Sequence, residues 1–151
     1  NPEIKQRIID HIFTSIPHTR ALGVELISLE RNIATGRVPY SENLVGNIEN
    51  GSIHTGVLIS LIDTIAGLAV FCALPKVEEI TTLDLRLDSF KPSSPKKEIY
   101  AQAECYYLSN TIAFVRGRLF YANSNDVIAG CVATFFRTGN LIKNFNVAGR
   151  W

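Results

Sequence analysis

Asp63 is the side chain most in need of an explanation. It is the sole charged residue in the apolar run Thr55–Leu74, TGVLISLIDTIAGLAVFCAL. An ionised carboxylate in such surroundings is costly unless it is partnered or put to use. The run is preceded by Gly51-Ser52-Ile53-His54-Thr55-Gly56. A helix beginning there presents free backbone N–H groups that carry partial positive charge. With a glycine to admit close approach, such a start suits an oxyanion or a carbonyl oxygen becoming one. Asp63 lies seven residues beyond Gly56. The two share a helix face but stand about 10 Å apart at 1.5 Å per residue. One helix cannot apply both groups to one carbonyl, whereas a two-fold dimer can set the Asp63 of one subunit against the Gly56 end of the other. The structural alternative is a carboxylate merely hydrogen-bonded to a neighbouring strand.

The elements that must hold these residues follow from the hydrophobic pattern. The apolar positions of Thr55–Leu74 nearly encircle a helix axis, so the helix is buried on most sides. An amphipathic helix is expected over residues 1–17, with Ile4, Ile8, Ile9, Ile12, Phe13 and Ile16 on one stripe and Pro17 as its end. His11 and His18 read as solvent-facing or capping residues. Strands are expected at Leu22–Leu29 and Ile33–Val38, followed by a Gly- and Asn-rich loop from Tyr40 to Ser52. After a break at Pro75–Glu79, Ile80–Phe90 alternates, with Leu83, Leu85 and Leu87 on one face and Thr82, Asp84, Arg86 and Asp88 on the other. Glu98–Leu108, Thr111–Ala122 and Val127–Arg137 complete a meander through short hairpin connections. Residues 139–151 read as a loose tail. One α+β domain over 1–151 results, with a curved antiparallel sheet wrapped around one long helix.

Bulk properties narrow the function classes. A net charge of +1 offers no basis for binding nucleic acid or an anionic membrane surface. The 3 cysteines lack the paired spacing of a metal site or disulfide framework, which points to reduced thiols, a cytoplasmic setting and no bound metal. Asp63 at the centre of the apolar run argues against a bilayer span.

The stretch from Gly51 through His54, Gly56 and Asp63 to Gly67 resembles the signature of the hotdog-fold acyl-CoA thioesterases, phenylacetate-degradation branch. That pattern, Gly-x-x-His-Gly-Gly-x-x-x-x-x-x-Asp, places the aspartate nine residues after the histidine, as His54 and Asp63 are here. Thr82 to Pro92 and the final strands extend the resemblance over roughly residues 20 to 138. It implies Asp63 as nucleophile or general base, the Gly56 N–H as the polariser of the thioester carbonyl, His54 as a shaper of the helix start, and Thr82 as a support for carboxylate or water. It also implies an acyl-CoA substrate, coenzyme A entering only as part of that substrate, no separate cofactor, and a homodimer or homotetramer. Thr55 stands where the pattern has glycine. Ile48 stands where it has asparagine, with Asn47 and Asn50 beside it. Ser109-Asn110 replaces a Gly-Arg or Gly-Lys that meets phosphates in many members. Asn47, Asn50, Gly51, Thr55, Lys91 and Asn110 are the implied substrate contacts, with Lys96 and Lys97 as further cations. Two other chemistries are weighed beside hydrolysis: a hydratase or dehydratase on the same fold, and an acyl-CoA-binding module without turnover.

Overall fold

The computed structural model describes residues 2–94, 96–122 and 125–142. Two helices open the chain, α1 (Pro2–Ser15) and α2 (Pro17–Leu22), followed by strands β1 (Glu25–Leu29) and β2 (Ile33–Val38). A small hairpin, β3 (Val45–Asn47) and β4 (Ser52–Ile53), leads into the long helix α3 (Thr55–Ala73). Four strands finish the fold: β5 (Glu78–Ser89), β6 (Ile99–Leu108), β7 (Ile112–Phe120) and β8 (Val127–Leu141). Six of the strands make one antiparallel sheet in the order β1-β2-β6-β7-β8-β5, which leaves β5 at an edge.

The sheet curves around α3 because helix and sheet are matched in side-chain size. The helix brings Leu58, Leu61, Ile62, Ile65, Leu68 and Val70, all buried. The facing strands bring Ala34, Gly36, Ala101, Ala103, Ala113 and Gly117. A Cβ added to Gly117 would stand 2.9 Å from Ile62 Cδ1, and one on Gly36 would stand 2.4 Å from Ile65 Cδ1. Two glycine notches therefore seat the helix and fix its position along the sheet. Each isoleucine so buried contributes roughly 1.5–3 kcal/mol relative to exposure. Pro75 follows the helix directly and cannot continue it. By length and apolarity α3 would pass for a membrane span, yet 56% of its apolar window is buried within the fold.

The central helix and the later strands follow the expected layout. The expected loop Tyr40–Ser52, however, holds a 3-10 turn (Glu42–Leu44) and most of the β3–β4 hairpin, and the strand expected from Leu22 begins at Glu25. Three further differences bear on the fold. Pro17 was expected to end one helix, and it also begins another. Proline suits the first helical position because its φ is already helical and its missing N–H has no intrahelical acceptor. The second helix, α2, closes on Gly23, whose φ of 72° is left-handed and whose N–H returns to Arg20 and Thr19 carbonyls. Of the expected α1 stripe, Ile9 and Phe13 are buried and Ile16 is exposed; the side chains of Ile4, Ile8 and Ile12 lie outside the described part. The start of the expected tail is also strand: β8 runs to Leu141 and the Ile142 N–H donates to Val77 O at 3.0 Å, while the rest of that expected tail, 143–151, lies outside the described residues. The third difference is a bulge in β5, which bears on the site.

Candidate active site

One stripe of α3 escapes burial. Gly56, Ser60, Asp63 and Gly67 are half-buried along it, and Ile59 is 41% exposed. Asp63 therefore stands at the rim of the core, less enclosed than the apolar run predicts. The stripe borders β5, and the Thr82 hydroxyl donates to Asp63 Oδ1 at 2.8 Å. Uninterrupted alternation would have put Leu83 inward with Leu85 and Leu87, and Thr82 outward. The register with β8 slips between Thr82 and Asp84 instead. The extra residue, Leu83, is turned out and 55% exposed. Ile80 and Thr82 thereby share the helix-facing side with Leu85 and Leu87, and a threonine reaches the carboxylate. A bulge of this kind changes which side chains face inward without ending the strand.

The helix start is equally constrained. The Gly56 N–H donates to His54 Nδ1 at 2.8 Å, so the expected carbonyl donor has a partner within the chain. Because Nδ1 accepts, the neutral imidazole carries its proton on Nε2. His54 is held from three sides. Its N–H donates to Leu44 O at 2.8 Å. The Cα of Gly46 packs so close that an added Cβ would lie 2.6 Å from His54 Cα. The preceding Ile53 N–H donates to the buried Ser93 Oγ at 2.8 Å. Ser93 escaped the sequence reading because the turn Lys91–Lys97 offered many polar residues and nothing to single out one.

The remaining expected contacts are dispersed. Asn47 Oδ1 accepts from the Glu49 N–H at 3.0 Å and Asn50 Oδ1 from the Ser52 N–H at 2.9 Å, so both asparagines brace the β3–β4 turn. Gly51 occupies the left-handed region at φ 70° and closes that turn on Asn47 O. Ile48 projects from its tip, 96% exposed. Thr55 is exposed beside His54. Lys91, two residues before the Ser93 whose hydroxyl accepts from the Ile53 N–H, pairs with Asp126. Asn110 lies in the β6–β7 turn at the opposite end of the sheet, where Arg137 binds both Ser109 O and the Glu78 carboxylate. Within one chain, Asp63 with Thr82 and His54 with Gly56 form the two chemical centres, and Asn110 joins neither.

A neighbour was missed as well. Cys131 lies buried on β8, and its thiol is pushed up to about 11, first by burial and then by the negative charges of Asp63 and Asp88. Its place in an apolar strand gave no signal of that company.

An antiparallel sheet wrapped on one long helix is the hotdog layout. The chain belongs to the Thioesterase superfamily, whose family model matches residues 50–128. Among its relatives, a putative esterase of Halobacterium salinarum is 34% identical over 79 residues, a match that spans 50% of this chain and only about half, 51%, of that protein. The medium/long-chain acyl-CoA thioesterase YigI of Escherichia coli is 29% identical over 133 residues, covering 80% of this chain and 84% of YigI. The PaaI protein of the E. coli phenylacetic acid degradation operon shares the fold, with a TM-score of 0.81 at 17% identity over 92% of this chain and 96% of that one.

Proposed function

We propose that the chain hydrolyses acyl-CoA thioesters as a homodimer in which Asp63 of one subunit acts on a carbonyl polarised at Gly56 of the other. The observation that carries this reading is the Thr82–Asp63 hydrogen bond on the open stripe of α3. It occupies one carboxylate oxygen and leaves the other for a water or for the thioester carbon itself. Deprotonating that water, or attacking directly to give a mixed anhydride that water then cleaves, releases the acid and the CoA thiolate. A thioester is activated enough for one placed base or nucleophile plus one oxyanion site. The exposed His54 ring yields Gly56 N–H to the carbonyl by a side-chain rotation. The likeness to the acyl-CoA thioesterase YigI supports the substrate class. The unpaired edge of β5 supports pairing with a second copy, since an open edge strand is a template for another chain. Lys91, Lys96 and Lys97, in the turn that carries Ser93, are the cations proposed for the CoA phosphates.

The test is thiol release from a panel of acyl-CoA esters by wild type and by Asp63→Asn, an isosteric change. Turnover by wild type that falls at least about a hundredfold in Asp63→Asn supports the assignment. Unchanged rates in the variant remove Asp63 from the mechanism, and binding without thiol release by wild type identifies a module without turnover.

A further inference from the structure

One more contact reaches the open stripe of α3, and the chemistry above does not use it. His18 Nε2 and Ser60 Oγ lie 3.0 Å apart, joining α2 to α3. Ser60 is four residues after Gly56 and three before Asp63, so its side chain stands about one helical turn from each, roughly 5–6 Å. The backbone carbonyl of Ser60 accepts from the Thr64 hydroxyl at 2.8 Å. His18 is exposed, and α2 is fixed beneath it by buried Thr19 and the Gly23 cap. A histidine and a hydroxyl thus overhang the stretch of helix between the two chemical centres.

The chemistry of the pair selects what passes over it. A neutral imidazole and a hydroxyl can each donate and accept. A hydrocarbon chain laid on them would strip their water and return nothing. A segment carrying one donor and one acceptor would satisfy both. The thiol arm of a CoA-type thioester has such a segment, a secondary amide two methylenes from the sulfur. With the thioester carbon at Asp63 and the thiol arm running towards the helix start, that amide would lie about one helical turn away, the distance at which Ser60 stands from Asp63. We propose that His18, positioned by Ser60, is a substrate-binding residue that reads the first amide of the thiol arm. The inference rests on the thioesterase reading and adds which part of the substrate is read and where.

The experiment compares two thioesters of one acyl group, the N-acetylcysteamine ester, which keeps the amide, and the S-pentyl ester, which replaces it with methylenes. Wild type is expected to prefer the former by about tenfold in kcat/KM, the scale of one or two net hydrogen bonds. His18→Ala and Ser60→Ala are expected to bring the two esters within about twofold, chiefly through KM of the amide-bearing ester, while His18→Gln retains part of the preference. Melting curves matched to wild type establish that the variants are folded. A preference that survives in both alanine variants, or an equal loss on both esters, overturns the role of His18. A wild type that hydrolyses neither these esters nor any acyl-CoA fails at the earlier step and overturns both readings.

Discussion

The shared site can be tested by complementation between two inactive chains. α3 is continuous from Thr55 to Ala73, so Gly56 and Asp63 are held about 10 Å apart along one helix, whereas a donor and a base acting on one carbonyl must each lie about 3 Å from the reacting atoms. Asp63→Ala removes the base. Gly56→Pro removes the N–H donor within the first turn, where proline breaks no ladder bond. An added Cβ there meets only the ring of His54, an exposed side chain. Each homodimer is expected to lose on the order of a hundredfold or more in kcat. In a heterodimer purified through two different tags, one site receives both lesions and the other neither. Thiol release should therefore return to about half the wild-type rate per dimer. A site built within one chain predicts no recovery, since each chain then carries one lesion. An inactive heterodimer of normal stability, or a chain that sediments as an active monomer, refutes the reasoning.

Other perturbations separate the chemistry from the scaffold. Thr82→Val should lower kcat about tenfold or more through loss of a hydrogen bond to a charged acceptor, with little change in Tm. Arg137→Met leaves Glu78 unpaired in a half-closed site, and urea unfolding should report a loss of about 3–5 kcal/mol, much of it recovered by the double change Glu78→Leu with Arg137→Leu. Gly117→Ala should cost about 1–3 kcal/mol, partly relieved by Ile62→Val, which removes one of the two atoms the new Cβ would meet at 2.9 Å and leaves the other, Gln102 O. Cys131 gives a pH signature: its folded value of about 11 exceeds the ordinary 9.0, so the folded state holds the proton more tightly. Stability tied to that proton is complete below pH 9 and declines as pH rises towards 11, by on the order of 2 kcal/mol. Cys131→Ala should flatten that decline in chemical denaturation across the window.

Most of the architecture was legible because it is written in local patterns. Strand β2 matches its expected span, and α3 differs by one residue at its end, since an apolar run closed by proline and strands joined by short polar turns leave few arrangements. What escaped depends on contacts remote in sequence. Pro17 carries the same signal as a helix stop and as a first helical residue, and the core beneath Thr19 decides between them. His18 had no visible partner because Ser60 lies 42 residues away. Asp63 and Thr82 were singled out by type and resemblance, but the bond between them depends on Leu83 being turned out, which no period-two count over Thr82–Asp88 reveals. The Gly56 donor was expected to be free, and the capping geometry of His54 engages it.

The bulge at Leu83 acts as a phase slip in a two-stroke repeat. Upstream of it the even-numbered positions, Ile80 and Thr82, face the helix; downstream the odd-numbered ones, Leu85 and Leu87, do so. A saturation scan of β5 should therefore show tolerance at 81 and sensitivity at 80 and 82, then two adjacent tolerant positions at 83 and 84, and afterwards the opposite rhythm. Comparing this strand with another by hydrophobic alternation alone would assign half of it to the wrong side. A one-residue change of spacing between Thr82 and Leu85 would remove the bulge or turn the threonine to the other face, while Leu85 and Leu87 keep their own pairing with β8. The spacing at Leu83 thus governs the chemical half of the strand and leaves its packing half alone.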